Sequence, residues 1–261
     1  MRGNSDRFYI KEGLGSDLLC IKDKELIRQW RKVMRLGEGD VVRLFDGSGY
    51  EYQYSICNTQ YANKAQLKLI DKQYFEEKEN KVFLGFGVLH DQARMEWMLE
   101  KCTELGVDRF IPLVCDNSQL YMRNSKLKIQ SSKPQLKTSK LKKQERLEKK
   151  IVEACEQCGR VRVPGIETIW SINDIDDVVG ADPSVRPRVI VLDKLKIRNE
   201  KLKIDIYKNI LLLVGPEGGW SERELKYFAE NNLEFMSVGE NVLRAETAAV
   251  AGVVRQEIRN K

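Results

Sequence analysis

The stretch LLLVGPEGGWSERE, residues 211–224, places an apolar run directly before a proline, an acidic residue and two adjacent glycines. Such a run is typical of a buried strand in a parallel sheet, and Ser221 with Glu224 has the spacing of a helix-starting capping box. Because glycine has no Cβ, a glycine-rich turn at this place indicates that a ligand or another chain segment approaches the main chain. The stretch therefore predicts a strand, a binding loop and a helix.

Similar apolar segments surround this stretch at nearly even spacing. They are RVIVLD (188–193), NILLLVG (209–215) and LEFMSVG (233–239), and an earlier strand-helix-strand pattern starts at VFLGFGVL (82–89). Strands that alternate with helices predict a parallel α/β sheet, whose ligands bind beyond the carboxyl ends of the strands. Leu192, Gly215 and Gly239 should therefore meet at one edge.

The first part of the chain has a different pattern of apolar and polar residues. Short alternating segments predict a small β-rich, partly closed barrel, with DGSG (46–49) as a hairpin turn. A helix is predicted between the first strands from the spacing of Leu26, Trp30, Val33 and Met34. Near residue 75 the short alternating segments give way to longer apolar segments separated by helices. This change predicts a β-barrel domain over 1–74 and an α/β domain over 75–261.

The charge is unevenly distributed. From Arg123 to Lys150 there are eleven Lys or Arg and two Glu, a net charge of +9, whereas the whole chain carries +6. This segment predicts a basic loop or arm that binds a polyanion such as RNA, although an ordinary solvated lysine-rich face is the alternative. Residues 144–160 regain helical periodicity.

The remaining composition indicates a globular protein of the cytoplasm. Hydrophobic residues make up 42% and charged residues 32% of the 261 residues, and no segment has the pattern of a signal peptide or a membrane span. The six cysteines are expected to be reduced and buried. CEQC (155–158) could indicate a redox pair or half of a zinc site, but no second such pair exists and His90 is the single histidine, so no metal is expected.

Phosphate binding is disfavoured at the glycine loop. GPEGGWSE lacks the lysine and hydroxyl of a P-loop and the spacing of a dinucleotide fingerprint. Glu217 would also repel a pyrophosphate. An uncharged or cationic ligand is therefore favoured over a nucleotide triphosphate.

LLLVGPEGGWSERE followed by SVGENVLRAETAAVAG resembles the two signature loops of the SPOUT methyltransferases, and specifically the small-subunit (16S) rRNA uracil-N3-methyltransferase family. RMEWMLEKCTELGVDRFIPL (94–113), IVEACEQCGRVRVPGI (151–166) and VMRLGEGDVVRLFDGSGYEY (33–52) resemble other parts of that family. The resemblance implies a PUA-like β-barrel followed by a SPOUT α/β domain with a trefoil knot. It also implies a homodimer that binds S-adenosylmethionine and methylates N3 of a uridine in 16S rRNA, within the 30S subunit or its precursor.

The resemblance and the loop chemistry together predict the site residues. Cofactor binding is predicted for Leu192, Val214, Gly215, Gly218, Gly219, Val238, Gly239, Leu243 and Thr247. Arg244 is predicted to stabilise negative charge that develops on the uracil oxygens, and either Glu217 or Glu246 to accept the N3 proton. RNA phosphates are predicted to bind Arg7, Arg31, Arg35, Arg123 and Arg160.

Two alternative functions remain open at this point. The same fold could act on another rRNA or tRNA position, and a non-catalytic RNA-binding factor could keep the barrel and the arm without a cofactor. Tyr50, Tyr52 and Tyr54 alternate along one segment and could stack bases or form barrel surface.

Overall fold

The computed structural model describes residues 7–58, 64–118, 139–175, 186–193 and 209–259. The chain divides into two compact units. Unit 1 comprises Met1–Glu77 and Cys155–Val163, and unit 2 comprises Lys78–Ala154 and Pro164–Lys261. A division into two consecutive segments does not anticipate that 155–163 groups with the first unit.

Unit 1 contains a curled sheet whose described strands have the order β1-β3-β4-β5-β2. The strands are β1 (Arg7–Tyr9), β2 (Leu18–Ile21), β3 (Val41–Phe45), β4 (Tyr50–Asn58) and β5 (Ala65–Tyr74). Strand β1 pairs in parallel with β3, and the other pairs are antiparallel. The DGSG segment joins β3 to β4 as a hairpin turn, as predicted, and the core of the unit lies on one face of the sheet.

The predicted helix between β2 and β3 is present but irregular. Helix α1 (Lys24–Arg28) starts at Asp23, whose carboxylate accepts hydrogen bonds from two backbone N–H groups, and continues as a π-helical turn over Gln29–Met34. Trp30 and Ile27 are buried, whereas Val33 is 76% exposed. Val33 therefore does not share the buried face of Trp30, as its spacing in a regular α-helix would suggest, because the wider turn rotates it away from that face.

The segment Cys155–Val163 is attached to unit 1 by apolar packing and by Arg162. Cys155 and Val161 pack with Phe45, and the Arg162 guanidinium donates to the carbonyl oxygens of Ser48 and Phe75. A Cβ at Gly49 would overlap the Arg162 guanidinium. The second glycine of the DGSG turn is therefore required by this guanidinium as well as by its positive φ of 100°.

Unit 2 contains a parallel sheet in which the described strands have the order β12-β10-β11-β6-β7-β8, with β9 also paired to β7. The strands are β6 (Lys81–Gly87), β7 (Arg109–Val114), β8 (Gly165–Ile166), β9 (Trp170–Ser171), β10 (Arg188–Leu192), β11 (Asn209–Val214) and β12 (Glu234–Met236). All of these pairs are parallel, which confirms the α/β prediction.

The helices of the α/β region are α2 (Gln92–Glu104), α3 (Ser139–Cys158), α4 (Glu222–Glu230) and α5 (Ala245–Arg259). The predicted capping box starts α4: Ser221 and Glu224 exchange side-chain and backbone hydrogen bonds. Helix α2 ends before Gly106, whose φ of 98° suits glycine. No helix in the described ranges is long and apolar enough to cross a membrane.

Helix α3 revises the prediction for the basic segment. The helix begins at Ser139, so the last five residues of the predicted loop over 123–143 are helical, and 123–138 lie outside the described residues. Arg146 forms an ion pair with Glu96 of α2 at 2.6 Å, and Lys150 forms one with Glu100 at 3.0 Å. Part of the positive charge on α3 is thus balanced by α2.

Candidate active site

The loops that leave β6, β7, β11 and β12 lie at the carboxyl edge of the unit 2 sheet, because the strands are parallel. Three hydrogen-bonded contacts connect the glycine loop to its neighbours. The backbone N–H of His90, after β6, donates to Glu217 Oε1 at 2.9 Å. The Asn117 side chain, after β7, donates to the carbonyl oxygens of Gly218 and Gly219, and the indole of Trp220 donates to Leu192 O at 3.2 Å.

The three glycines of GPEGG differ in what surrounds the position where a Cβ atom would lie. A Cβ at Gly218 would lie 2.9 Å from Asn117 Cβ, and one at Gly215 would lie 3.3 Å from the Trp220 ring. These two glycines make room for side chains of the same unit, so packing within the protein explains why a Cβ is absent there. Gly219 has a φ of 70°, and no heavy atom of the described residues lies within 4 Å of its Cβ position, unlike those of Gly215 and Gly218.

Two residues beyond β7, Asp116 and Asn117, organise the loop and were not predicted from the sequence. The Asp116 carboxylate accepts hydrogen bonds from Ser221 Oγ at 2.7 Å and from the Arg223 guanidinium. Its backbone N–H donates to Glu224 Oε1 at 2.9 Å, so the capping box is also tied to β7. Polar residues at the end of a buried strand were the available signal.

Asn117→Ala should lower the free energy of unfolding by about 1–2 kcal/mol, since it removes two hydrogen bonds to loop carbonyls. Asn117→Asp is the matched variant, because it keeps the shape but removes the N–H donors. Both variants should show the loss in urea unfolding. An Asn117→Asp protein as stable as the wild type would show that packing alone holds the loop.

Gly87→Ala should destabilise the protein by about 1–3 kcal/mol, because overpacking against backbone atoms cannot be relieved by a rotamer change. A Cβ at Gly87 would lie 2.6 Å from the Pro216 N and Cδ atoms, at the start of the glycine loop. Gly165→Ala is the control, since its Cβ position has no heavy atom within 4 Å. Equal stability of the two variants in urea unfolding would contradict the close approach of β6 to Pro216.

The second predicted loop follows β12 and is exposed at its centre. Ser237 Oγ donates to Gly239 O at 2.8 Å, and Arg255 donates to Ser237 O at 2.6 Å. No heavy atom of the described residues lies within 4 Å of the Gly239 Cβ position, and Val242 is 81% exposed. The loop is therefore held at its base and leaves open space above Gly239.

The other predicted cofactor residues are divided between the interior and this edge. Val214 is buried at the end of β11, and Leu192 is buried with its Cδ1 atom 2.6 Å from the Cβ position of Gly252 in α5. The Leu192 side chain thus packs inward and its carbonyl is bonded to Trp220. Val238 and Leu243 are half-buried, and Thr247 is exposed in the first turn of α5.

The three predicted catalytic side chains have different surroundings. Arg244 is exposed immediately before α5, and its side chain has no ion pair or hydrogen bond with the described residues. Glu217 is exposed and is tied to the loop after β6 by the His90 N–H. Glu246 is 7% exposed in the first turn of α5, and its Oε2 atom accepts no hydrogen bond within the described part of the chain.

Arg94, in the first turn of α2, joins this group and was missed in the sequence. Its Nε atom lies 3.4 Å from Asp91 Oδ2 and 3.9 Å from Glu246 Oε1. No sequence signal links positions 94 and 246, because their proximity comes from the packing of α2 against α5.

The residues predicted to bind RNA have unequal access to solvent. Arg31 and Arg35 are exposed on and after the π-helical turn. Arg7 does not fit the prediction that it binds RNA phosphates, because its Nε atom is 2.6 Å from Glu51 Oε2 in a largely buried ion pair of unit 1. Arg160 is half-buried, and Arg123 lies outside the described residues.

The tyrosines of β4 are also unequal. Tyr54 is buried, and its hydroxyl donates to Ser16 O at 3.1 Å and accepts from Gly15 N at 3.0 Å. It is therefore a core residue and not a base-stacking surface. Tyr50 is exposed and its ring centroid is 4.8 Å from that of Tyr74.

The prediction that the six cysteines are buried is only partly right, because Cys102, Cys115 and Cys155 are buried whereas Cys20 and Cys158 are exposed and Cys57 is half-buried. Burial raises the pKa of the Cys102 and Cys155 thiols to about 12, so both are protonated at neutral pH. Burial raises the pKa of Cys115 as well. Within the described ranges, no group of three or more His, Cys, Asp or Glu side chains could hold a metal ion.

Family models match both parts of the chain. A model described as an RNA methyltransferase domain matches residues 76–131 and 126–255, and one described as an RNA methyltransferase PUA domain matches residues 31–57. Among characterised relatives, ribosomal RNA small subunit methyltransferase E of Rickettsia conorii is 28% identical over 96% of this chain and 94% of its own length. The protein of the same name from Helicobacter pylori strain J99 is 30% identical over 84% of each chain.

Solved structures share the whole fold. A ribosomal RNA small subunit methyltransferase E from Neisseria gonorrhoeae, bound to S-adenosyl methionine, aligns with a TM-score of 0.76 over 97% of this chain and 96% of its own, at 22% identity. A methyltransferase from Legionella pneumophila in complex with the same cofactor aligns with a TM-score of 0.77 over 97% of each chain, at 23% identity. These two alignments show that the chain shares the fold of both methyltransferases over nearly its whole length.

Proposed function

The chain belongs to the RNA methyltransferase family that includes ribosomal RNA small subunit methyltransferase E, and we propose that it methylates N3 of a uridine in 16S rRNA with S-adenosylmethionine as methyl donor. The observation that carries this proposal is the match to relatives of that name over nearly the whole chain. The open carboxyl edge of the sheet, with one exposed arginine and one buried carboxylate beside two glycine loops, supports it.

The residues at this edge fit the proposed cofactor. No heavy atom of the described residues lies within 4 Å of the Cβ positions of Gly219 and Gly239, so the flat adenine ring can approach either main chain. The residues proposed to contact it are Gly219, Val238, Gly239, Leu243 and Thr247. Leu192, Val214, Gly215 and Gly218 are proposed to shape the edge from beneath, because Leu192 and Val214 are buried and the Cβ positions of Gly215 and Gly218 face Trp220 and Asn117. When bound, S-adenosylmethionine supplies a methyl group that is already activated by its sulfonium, so the protein needs only to orient the reactants and exclude water.

Arg244 is proposed to stabilise the uracil as it loses its proton. Negative charge develops on O2 and O4 when N3 becomes a nucleophile, and an exposed guanidinium without a partner among the described residues can meet it at no cost to another ion pair. Arg244 is followed directly by α5, whose N-terminus adds a favourable electrostatic contribution.

Glu246 is the better candidate for the proton acceptor. Its Oε2 atom is buried and has no hydrogen-bond donor among the described residues, so it can accept one from a substrate. Glu217 already accepts a hydrogen bond from His90 N and joins two loops. We therefore assign Glu217 to the loop structure and Glu246 to proton acceptance.

RNA binding is proposed for both units. Arg31 and Arg35 are exposed on unit 1 and can bind phosphates without reading sequence. The net charge of +9 between Arg123 and Lys150 adds a second basic segment. We propose that the partner is 16S rRNA within the 30S subunit or its precursor, that the protein acts in the cytoplasm as a homodimer, and that the C-terminal strands are threaded as a trefoil knot.

The test combines a methylation assay with nucleoside analysis. Purified protein is incubated with labelled S-adenosylmethionine and with 30S subunits or naked 16S rRNA from a strain that lacks the gene. Liquid chromatography and mass spectrometry should identify 3-methyluridine in 16S rRNA. A methyl group on another base or in another RNA would contradict the proposed substrate but not the methyltransferase activity. A folded protein that binds no S-adenosylmethionine in calorimetry would contradict the proposal that it is an enzyme.

A further inference from the structure

The Arg94 side chain lies between two carboxylates at the starts of different helices, Asp91 at the start of α2 and Glu246 in the first turn of α5. Asp91 caps α2 by accepting hydrogen bonds from the N–H groups of Ala93 and Arg94, and its Oδ2 atom is 3.4 Å from Arg94 Nε. The same Nε atom is 3.9 Å from Glu246 Oε1. Because Asp91 fixes the start of α2, the guanidinium is presented to α5 from a defined position.

The contact with Arg94 involves one of the two carboxylate oxygens of Glu246. Oε1 faces Arg94, whereas Oε2 is buried and accepts no hydrogen bond in the part of the chain that the structure describes. A buried carboxylate oxygen without a donor is costly for the folded protein. Such a group at the edge where the reaction is proposed indicates that its partner is supplied by a ligand.

We propose that Arg94 is a positioning residue that attracts Oε1 of Glu246 and leaves Oε2 directed toward the N3–H group of the uracil. The inference rests on the proposed function and adds a residue that acts through another. The separation of 3.9 Å exceeds a hydrogen bond, so Arg94 orients the carboxylate by charge and can tighten when substrate binds.

The proposed step is balanced without a further reactant. The N3–H proton passes to Glu246 Oε2, the electron pair on N3 forms the bond to the methyl carbon, and the electrons of the broken C–S bond remain on sulfur. Glu246 then returns its proton to solvent.

The experiment is a double-mutant cycle with Arg94→Gln, Glu246→Gln and the combined variant. Arg94→Gln should lower kcat about 10- to 100-fold, a loss expected when a catalytic group is misplaced by about 1 Å. Arg94→Lys, which keeps the charge, should recover part of the rate. In the Glu246→Gln background, Arg94→Gln should cause less than about a twofold further loss, because the two residues act as a unit.

Arg109→Gln is the matched control. It removes an arginine–carboxylate pair of unit 2, with Nη1 of Arg109 3.4 Å from Glu167 Oε1, but Arg109 begins β7 and therefore lies at the edge of the sheet opposite the proposed reaction. Its kcat should stay near the wild-type value. Calorimetry should give an affinity for S-adenosylmethionine within about threefold of wild type for all variants, since neither Arg94 nor Glu246 is assigned to the cofactor.

Several outcomes would overturn the inference. Additive effects in the cycle would show that Arg94 does not act through Glu246, and a large loss of S-adenosylmethionine affinity in Glu246→Gln would make this carboxylate a cofactor ligand. An Arg94→Gln protein with full activity would contradict the inference alone. A wild-type protein that forms no 3-methyluridine would contradict the proposed function first, and the role of Arg94 with it.

Discussion

Arg244→Ala is expected to slow methyl transfer by about 10²- to 10³-fold, the loss typical of removing one group that stabilises an oxyanion. The reason is that Arg244 is exposed beside α5, where it can meet charge on O2 or O4 of the uracil. The affinity for S-adenosylmethionine should change by less than about threefold, because the arginine is assigned to the transition state and not to the cofactor. Single-turnover methylation and calorimetry measure the two quantities separately.

Arg109→Ala is the control for this prediction. Arg109 is also an exposed arginine of unit 2, but it begins β7 and therefore lies at the opposite edge of the sheet. Its removal should leave the rate within about twofold, since surface ion pairs such as that with Glu167 contribute little. An Arg244→Ala protein with the wild-type rate, or an equal loss in both variants, would remove Arg244 from the mechanism.

The fold could be predicted where local patterns are strong. The apolar segments at 188–193, 209–215 and 233–239 form β10, β11 and β12, because runs without alternation require burial on both faces of a sheet. The capping box at Ser221 was readable because both partners lie within one turn of chain. The irregular helix near Trp30 was harder, since a π-helical turn changes which side chains share a face.

The site could be predicted only in part, because its organisation depends on distant pairs. Asn117 contacts Gly218 of the glycine loop across 101 positions of sequence, and Arg94 approaches Glu246 across an even longer separation. Neither pair leaves a periodic signal. Gly218 illustrates the consequence: its sequence context indicates a ligand, whereas its lack of a Cβ is required by Asn117.

The residues that bind RNA could also be predicted only in part, because the pairing of basic side chains depends on residues that are distant in sequence. A high density of Lys and Arg indicated RNA binding, but Arg7 is neutralised inside unit 1 by Glu51, and Arg146 and Lys150 are paired with α2. Arg31 and Arg35 remain exposed. Burial and partners decide which arginines can reach a phosphate, and a single sequence does not contain that information.

Gly239→Val is expected to weaken S-adenosylmethionine binding by roughly 5- to 150-fold, which corresponds to the ~1–3 kcal/mol cost of overpacking a close contact. Among the described residues, no heavy atom lies within 4 Å of the Cβ position of Gly239, and its φ is not in the left-handed region, so valine is compatible with this part of the free protein. The added methyl groups would occupy the open space assigned to the cofactor. Calorimetry measures the affinity, and thermal unfolding verifies that the variant is folded.

Gly165→Val is the control that distinguishes a block of the cofactor site at Gly239 from a general effect of replacing glycine by valine. Gly165 also has an open Cβ position in unit 2, but it lies in β8 beside Arg109, at the amino end of the sheet. Its affinity for S-adenosylmethionine should equal that of the wild type, because valine suits a strand and no ligand is assigned there. If both variants bind the cofactor equally well, the open space at Gly239 is not part of the cofactor site, and the loop after β12 must act on RNA instead.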